Sequence, residues 1–174
     1  NTFVYDDSVN NYLGGQKGDK ITMASGTASD VQIWLDGRDG KTYNGIVLLD
    51  ASNAQGDAVL AGNAVSNTIR GGSGMSSLWG GASASADTLI GGTGQNTFYF
   101  GKGEGKDVIT TNSSSDKVML YNVSLTDIRS AAVTSGTMKI SLTDGSTLSI
   151  NSYGSSSVNT FVLGDNTTYT YDSS

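Results

Sequence analysis

The sequence predicts an all-β protein: a parallel β-roll of about five nonapeptide-like repeats, flanked by small β-rich cap units, with at most one or two short helices. The first observation is a polar residue two places before a large apolar one, which returns after 10, 9, 11 and 9 residues. The second is a pair of glycines at 71–72, 80–81 and 91–92. A period near nine with paired glycines is typical of a parallel β-helix or β-roll. The polar and apolar partners are Asp57 with Val59, Asn67 with Ile69, Ser76 with Leu78, Asp87 with Leu89, and Asn96 with Phe98.

Each repeat divides into a glycine-rich turn and a very short strand. Because glycine lacks a Cβ, paired glycines let the backbones of successive turns stack closely. We expect the apolar residue of each repeat to point inward, so that a core ladder forms. Each repeat contacts only its neighbours, so both ends of the roll need caps. The predicted ladder consists of Val59, Ile69, Leu78, Leu89 and Phe98.

A longer repeat divides the chain into three units. Residues 1–5 (NTFVY) return as residues 96–100 (NTFYF), and residues 18–21 (GDKI) are echoed by residues 115–118 (SDKV). We therefore expect a β-rich cap over residues 1–56, the roll repeats over 57–103, and a second cap, related to the first, over 104–174.

The C-terminal unit has clear local signals. Ser124 followed by Asp127 forms a capping pattern, which predicts a short helix over Leu125–Ala132. A hairpin is expected over Thr137–Asn151, with a three-residue loop ending at Gly145. That loop keeps one face apolar, because it pairs Ile140 with Leu148 and Met138 with Ile150. Phe161, Leu163, Tyr169 and Tyr171 indicate another hairpin.

Composition limits the classes of function. The net charge of −6 argues against nucleic acid as a partner, and no segment is long and apolar enough for membrane insertion. The chain has neither Cys nor His, so disulfides, thiolate metal sites and the commonest general base are absent. An enzyme is therefore the weakest hypothesis, and we expect no catalytic residues.

Two further sets of side chains have the residue types of a functional site. The acidic pairs Asp6–Asp7, Asp36/Asp39 and Asp50/Asp57 have the residue type of a glycosidase, but most stand in turns, where Asp favours local hydrogen bonding. Four aromatic residues could form a sugar-binding platform, although aromatic residues on strands more often pack against their neighbours. They are Trp34, Trp79, Tyr99 and Tyr121.

Residues 71–79 (GGSGMSSLW) and 91–99 (GGTGQNTFY) resemble the haemolysin-type, or RTX, repeat GGxGxDxUx, in which U is a large apolar residue. Residues 98–109 resemble the way such blocks end. The resemblance implies a calcium-binding β-roll in an extracellular bacterial protein exported by a type I system. Such proteins include toxins, proteases, lipases, adhesins and surface-layer proteins.

The sequence departs from this family at the Asp of the motif, which is replaced at 67, 76 and 96 by Asn, Ser and Asn. Calcium takes about six to eight oxygen ligands and binds more tightly when they are charged. The remaining candidates for metal ligands are Asp57, Asp87, Glu104 and Asp107. The alternative is a neutral ladder, in which Asn and Ser hydrogen-bond the turns and calcium assistance is reduced or lost.

Three hypotheses about function follow. The first is a non-enzymatic extracellular structural module, such as a spacer, cap or stalk segment. The second is a subunit that assembles with itself, head to tail or by edge pairing, into an extracellular fibre or surface layer. The third is an adhesin module that binds a cell-surface glycan.

Overall fold

The computed structural model describes residues 1–5, 11–13, 18–82, 84–111, 113–151, 153–154 and 158–171. These residues form short strands and one 3₁₀-helix, Leu125–Asp127. The strands are β1 (Thr2–Val4), β2 (Asn11–Leu13), β3 (Asp19–Thr22), β4 (Val31–Trp34), β5 (Thr42–Asn44), β6 (Ile46–Asp50), β7 (Ala58–Ala61), β8 (Thr68–Arg70), β9 (Ser76–Trp79), β10 (Thr88–Ile90), β11 (Asn96–Phe100), β12 (Lys106–Thr110), β13 (Lys117–Leu120), β14 (Ile128–Thr134), β15 (Thr137–Leu142), β16 (Thr147–Asn151), β17 (Thr160–Leu163) and β18 (Thr168–Thr170).

The chain winds between two large sheets, and successive repeats from β6 to β13 alternate between them. A separate small sheet pairs β2 with β5 in parallel. The first sheet has the order β1, β3, β6, β8, β10, β12, β16, β15, β14, and the second has the order β18, β17, β13, β11, β9, β7, β4. Pairing is parallel from β1 to β16 and from β4 to β17. Thr88 is in register with Thr68 and Val108, so one central coil takes 20 residues. The predicted all-β parallel roll is confirmed.

Glycine allows the turns of neighbouring coils to stack. A Cβ placed on Gly92 would lie 1.6 Å from the carbonyl oxygen of Gly72 in the preceding coil. Any side chain at this position would therefore push the two turns apart. The paired glycines thus set the close coil-to-coil contact that the nonapeptide period indicated.

The core is a ladder of apolar side chains from both sheets. The prediction was correct for Ile69, Leu78, Leu89 and Phe98, which are fully buried, but wrong for Val59. Ala58 is in register with Ser76, so the repeat begins one residue later than Asp57 suggested, and Leu60 points inward instead. The buried rungs are Ile21, Leu49, Ile69, Leu89, Ile109 and Ile150 in the first sheet, and Ile33, Leu60, Leu78, Phe98, Val118 and Phe161 in the second.

The predicted helix over Leu125–Ala132 was wrong beyond its first turn. The Asp127 carboxylate accepts the Ser124 backbone N–H at 2.9 Å, as the capping pattern required, but the helix ends there. Residues 128–134 form β14 instead, because they pair with β15 along nearly their whole length. Within the described ranges, no helix reaches the length and hydropathy of a membrane span.

Both predicted hairpins are confirmed. Met138 is in register with Ile150 and Ile140 with Leu148, and Gly145 has the positive φ of 94° that the three-residue loop requires. The second hairpin pairs β17 with β18 in antiparallel fashion. Antiparallel strands therefore end both sheets on the C-terminal side.

The two sheets run without interruption through the boundaries expected near residues 56 and 103. β6 of the first unit pairs with β8, and β11 pairs with β13 of the third. The three-unit division of the chain stays a prediction about its organisation.

The corrected register gives a matched pair of variants. Leu60→Ala should lower the free energy of unfolding by about 2–5 kcal/mol, because it leaves a cavity between the sheets. Val59→Ala should cost less than about 1 kcal/mol, because its half-exposed side chain lies on the outer face. Urea unfolding followed by circular dichroism measures both, and a larger loss for Val59→Ala would contradict the register.

Candidate functional site

Coil stacking places the polar positions of successive repeats directly over one another, on two edges of the roll. The Asp87 edge consists of the turns that follow β7, β9 and β11, and carries Asn67, Asp87 and Asp107. The Asn96 edge consists of the turns that follow β6, β8, β10 and β12. It carries Ala58, Ser76, Asn96 and Asp116 in the same stacked position. All seven residues are buried.

On the Asp87 edge, each carboxylate uses one oxygen to hold the coil before it. The Asn67 N–H donates to Oδ1 of Asp87 at 2.7 Å, and the Asp87 N–H donates to Oδ1 of Asp107 at 2.9 Å. The second oxygens, Oδ2 of Asp87 and Oδ2 of Asp107, are buried and have no hydrogen-bond partner. Two carboxylate oxygens without donors on one edge form an incomplete polar site.

Burial disfavours the ionised form of the Asp87 and Asp107 carboxyls. Loss of solvent raises the pKa of Asp87 to about 7 and the pKa of Asp107 to about 8. The nearby Glu104 raises both pKa values further, and Asp87 does so for Asp107, while the backbone N–H bonds lower them. Without a cation, the edge is therefore protonated in part near neutral pH.

Glu104 lies beside these two residues but has a different role. Its Oε2 accepts the Gly101 N–H at 2.7 Å, and its Oε1 accepts the Tyr121 hydroxyl at 2.7 Å and the Trp79 indole N–H. Burial raises the pKa of this carboxyl as well. Both oxygens of Glu104 are engaged, so it fixes two aromatic rings of the outer face.

The Asp87 edge fits a calcium ion by the chemistry of its donors. Oδ2 of Asp87 and Oδ2 of Asp107 are hard, charged oxygens, and a Cβ on Gly80 would lie 2.6 Å from the former. In the part of the chain that the structure describes, no group of three or more acidic, His or Cys side chains could hold a metal. An ion would therefore be held by these two carboxylates together with main-chain or water oxygens. It would supply the positive charge that ionised carboxylates need in a buried place.

The Asn96 edge is closed by an amide. Nδ2 of Asn96 donates to the carbonyl oxygens of Gly92 at 3.2 Å and Gly94 at 2.9 Å, and to Oδ1 of Asp116 at 3.0 Å. The hydroxyl of Thr111 donates to the other oxygen of Asp116. Asn96 therefore bonds its turn as the neutral-ladder alternative expects, whereas the buried hydroxyl of Ser76 on the same edge has no hydrogen-bond partner.

The four residues proposed as metal ligands separate into two places. Asp87, Asp107 and Glu104 lie together, whereas Asp57 lies near the Asn96 edge, where its Oδ1 accepts the Met75 N–H at 2.8 Å. Sequence reasoning did not include Asp116 in the ladder. It stands 20 residues after Asn96, so the coil length would have found it.

The acidic pairs have turn roles. Asp36 accepts the Arg38 side chain, Asp39 accepts the Lys41 N–H at 3.0 Å, and Asp50 accepts the Ser52 N–H at 3.1 Å. Asp6–Asp7 lies outside the described residues. The four aromatic residues of the suggested sugar platform do line one groove.

The raised pKa values predict how stability depends on pH. In calcium-free buffer, the folded chain holds protons on Asp87 and Asp107 up to about pH 7 and 8, while the unfolded chain releases them near 3.8. The free energy of unfolding should therefore fall as the pH rises from about 5 to about 9. Asp87→Asn with Asp107→Asn should reduce this fall, whereas Asp57→Asn should not. Urea unfolding at several pH values tests this, and stability that rises over this range would contradict it.

Comparison with known families agrees with this geometry. Residues 61–97 and 82–105 match the family model of the RTX calcium-binding nonapeptide repeat (4 copies). The matched ranges contain Asn67, Ser76, Asp87 and Asn96. A search of curated proteins found no match. The stacked coils, the paired glycines and the family match identify residues 61–105 as haemolysin-type (RTX) nonapeptide repeats.

Proposed function

We propose that this chain is a non-enzymatic structural β-roll module in which calcium is confined to the Asp87 edge. The observation that carries this proposal is the pair of buried carboxylate oxygens, Oδ2 of Asp87 and Oδ2 of Asp107, which have no hydrogen-bond donor. A divalent cation would keep both carboxylates ionised and would tie two neighbouring coils together. The matched repeats belong to a calcium-binding family, which supports the choice of ion.

The Asn96 edge supports the other half of the proposal. Its amide already bonds Gly92, Gly94 and Asp116, so it holds neighbouring coils together without an ion. Such a roll stays folded in the absence of calcium and gains stability when calcium binds. This behaviour differs from that of a roll with stacked Asp on both edges, in which charge repulsion opposes folding until the metal arrives.

The module works outside a bacterial cell as a spacer, cap or stalk segment. The match to the RTX repeat supports this location, because the resemblance to that family implies an extracellular bacterial protein exported by a type I system. The absence of Cys and the long, uniform hydrogen-bonded sheets suit a rigid segment that needs no disulfide.

A calcium titration tests the proposal. Calcium should raise the free energy of unfolding of the wild-type chain by about 1–3 kcal/mol at saturation, because it binds the folded state alone. The double variant Asp87→Asn, Asp107→Asn should lose this gain, while Asp57→Asn should keep it. Differential scanning calorimetry with and without a chelator measures the change.

Two results would reject the proposal. One is a calcium effect that survives in the double variant, since the ion would then bind elsewhere. The other is loss of the far-UV circular dichroism of the wild type on chelation, because the Asn96 edge would then be unable to hold the roll by itself.

A second candidate function is self-association through a sheet edge. β14 ends the first sheet and, among the described residues, pairs along one side with β15. Its last five residues, 130–134, carry no charge, and Val133 is 37% exposed. Long, uncharged edge strands are templates for pairing with another chain.

Edge pairing predicts a specific effect of charge. Val133→Lys should abolish assembly at high protein concentration, because a buried lysine at a new strand pair is costly. Val65→Lys is the matched control, since Val65 is an exposed valine in a turn. Sedimentation velocity and negative-stain microscopy report assembly, and a monomeric wild type at high concentration would exclude this function.

A further inference from the structure

A groove of about 500 Å³ runs along the outer face of the second sheet. Trp34, Ala61, Trp79 and Tyr99 are in register across β4, β7, β9 and β11. The small side chain of Ala61 leaves space between Trp34 and Trp79 on this face. The two indole rings meet edge to face across it, with ring centroids 6.2 Å apart and an angle of 76° between the ring planes. Tyr121 meets Trp79 edge to face at 6.0 Å. The result is a group of steeply inclined aromatic rings around one space.

A cation already lies in this group. The guanidinium carbon of Arg38 is 4.5 Å from the centroid of Trp34 and 4.5 Å from the centroid of Trp79. The Arg38 side chain is 46% exposed, so solvent reaches it from outside. Its Nε donates a hydrogen bond to Asp36 at 2.9 Å. The groove therefore has the geometry of a cation–π site, and a surface loop of the chain itself supplies the occupant.

Two of the aromatic rings are held in place by a buried carboxylate. The buried Glu104 accepts hydrogen bonds from the Trp79 indole N–H and the Tyr121 hydroxyl, and its other oxygen accepts the Gly101 N–H. The rings of Trp79 and Tyr121 are thus fixed by a single carboxyl group. A preorganised site costs less conformational entropy when a ligand binds.

The lining decides which cation fits. Apart from Arg38, Ser77 and the polar tips of the aromatic side chains, the groove is lined by Val59, Leu60 and Ala61. A primary ammonium or a sugar would lose hydrogen bonds to water here and find few acceptors to replace them. A quaternary ammonium carries its charge on methyl groups and needs no acceptor, and aromatic cages are a known means of binding it.

We infer that this groove is a binding site for a quaternary ammonium group, and that Arg38 is the internal occupant that the ligand displaces. The inference concerns the outer face of the sheet and does not depend on calcium at the Asp87 edge.

Choline and its neutral isostere 3,3-dimethylbutan-1-ol form the matched pair of probes. They have nearly the same shape, so a difference in affinity reports the positive charge. In chelator-containing buffer, isothermal titration calorimetry on the full chain should show choline binding at least about threefold more tightly than the alcohol. Chelation separates this test from the calcium proposal, which is decided by the Asp87 and Asp107 variants.

Variants locate the binding. Arg38→Ala should strengthen choline binding, because the competing guanidinium is gone, whereas Arg129→Ala, an exposed arginine on β14 of the other sheet, should leave it unchanged. Trp34→Leu keeps an apolar side chain without the aromatic face, and should weaken choline binding. Circular dichroism checks that each variant is folded. The comparison of choline with the alcohol on the wild type stands if a variant fails to fold.

Several outcomes would overturn the inference. Equal affinity for choline and the alcohol would show that the groove takes apolar shapes and does not select charge. Weaker choline binding by Arg38→Ala would make Arg38 a clamp for its own loop and not a competitor. Binding of a neutral oligosaccharide that choline does not displace would assign the aromatic rings to a glycan.

Discussion

Parallel stacking at a fixed register is the constraint on which the rest of this structure depends. Each central coil lies over the previous one after 20 residues, at the strand spacing of about 4.8 Å, so like positions are placed over like. For apolar residues this repetition is favourable and builds a continuous core. For acidic residues it is unfavourable, because buried like charges at that distance repel strongly. The charge at each buried acidic position must therefore be offset by a proton, by hydrogen-bond donors or by a cation.

The two edges meet this constraint in different ways. On one edge, Asn96 replaces a carboxylate, and its amide nitrogen satisfies the glycine carbonyls and Asp116. On the other, Asp87 and Asp107 remain, with raised pKa values and one unpartnered oxygen each. Glu104 extends this edge outward, because it joins the acidic turns to the rings of Trp79 and Tyr121. A change of charge on the edge therefore acts next to the support of the aromatic groove.

The fold could be predicted from the sequence because its signals are local and repeat. The close turns were predicted from the repeated Gly-Gly pairs, and the apolar ladder from Ile69 to Phe98 was predicted from the polar residue two places before each rung. Errors arose where a partner distant in sequence decided the outcome. The stretch Arg129–Ala132 has acceptable helix propensity, but pairing with β15 makes it a strand. Val59 and Leu60 were exchanged because only the register with β9 shows which of them faces the core.

The candidate site was predicted in part for the same reason. Asp87 was found because it stands two residues before Leu89, and Glu104 and Asp107 were found because they follow the last repeat. The bonds of Glu104 to Trp79 and Tyr121, in contrast, join residues 25 and 17 positions apart, respectively. No short-range sequence pattern predicts a hydrogen bond between residues so far apart in the chain. The groove likewise depends on Ala61 lying between two tryptophans that are 45 residues apart in the chain.

The alternation of strands between two sheets also limits how such a chain can change in length. Inserting or deleting a whole coil leaves every later residue on its original side, but a change of one repeat would move all later residues to the opposite side. The chain contains such an exchange: the Nδ2 of Asn1 bonds Asp19 at 3.2 Å between β1 and β3 of the first sheet, and the same motif recurs as Asn96 with Asp116 in the second. The outcome of a repeat duplication therefore depends on whether the number of added repeats is even or odd. Inserting an even number of repeats keeps later residues on their original edge, and inserting an odd number moves them from the Asp87 edge to the Asn96 edge or the reverse.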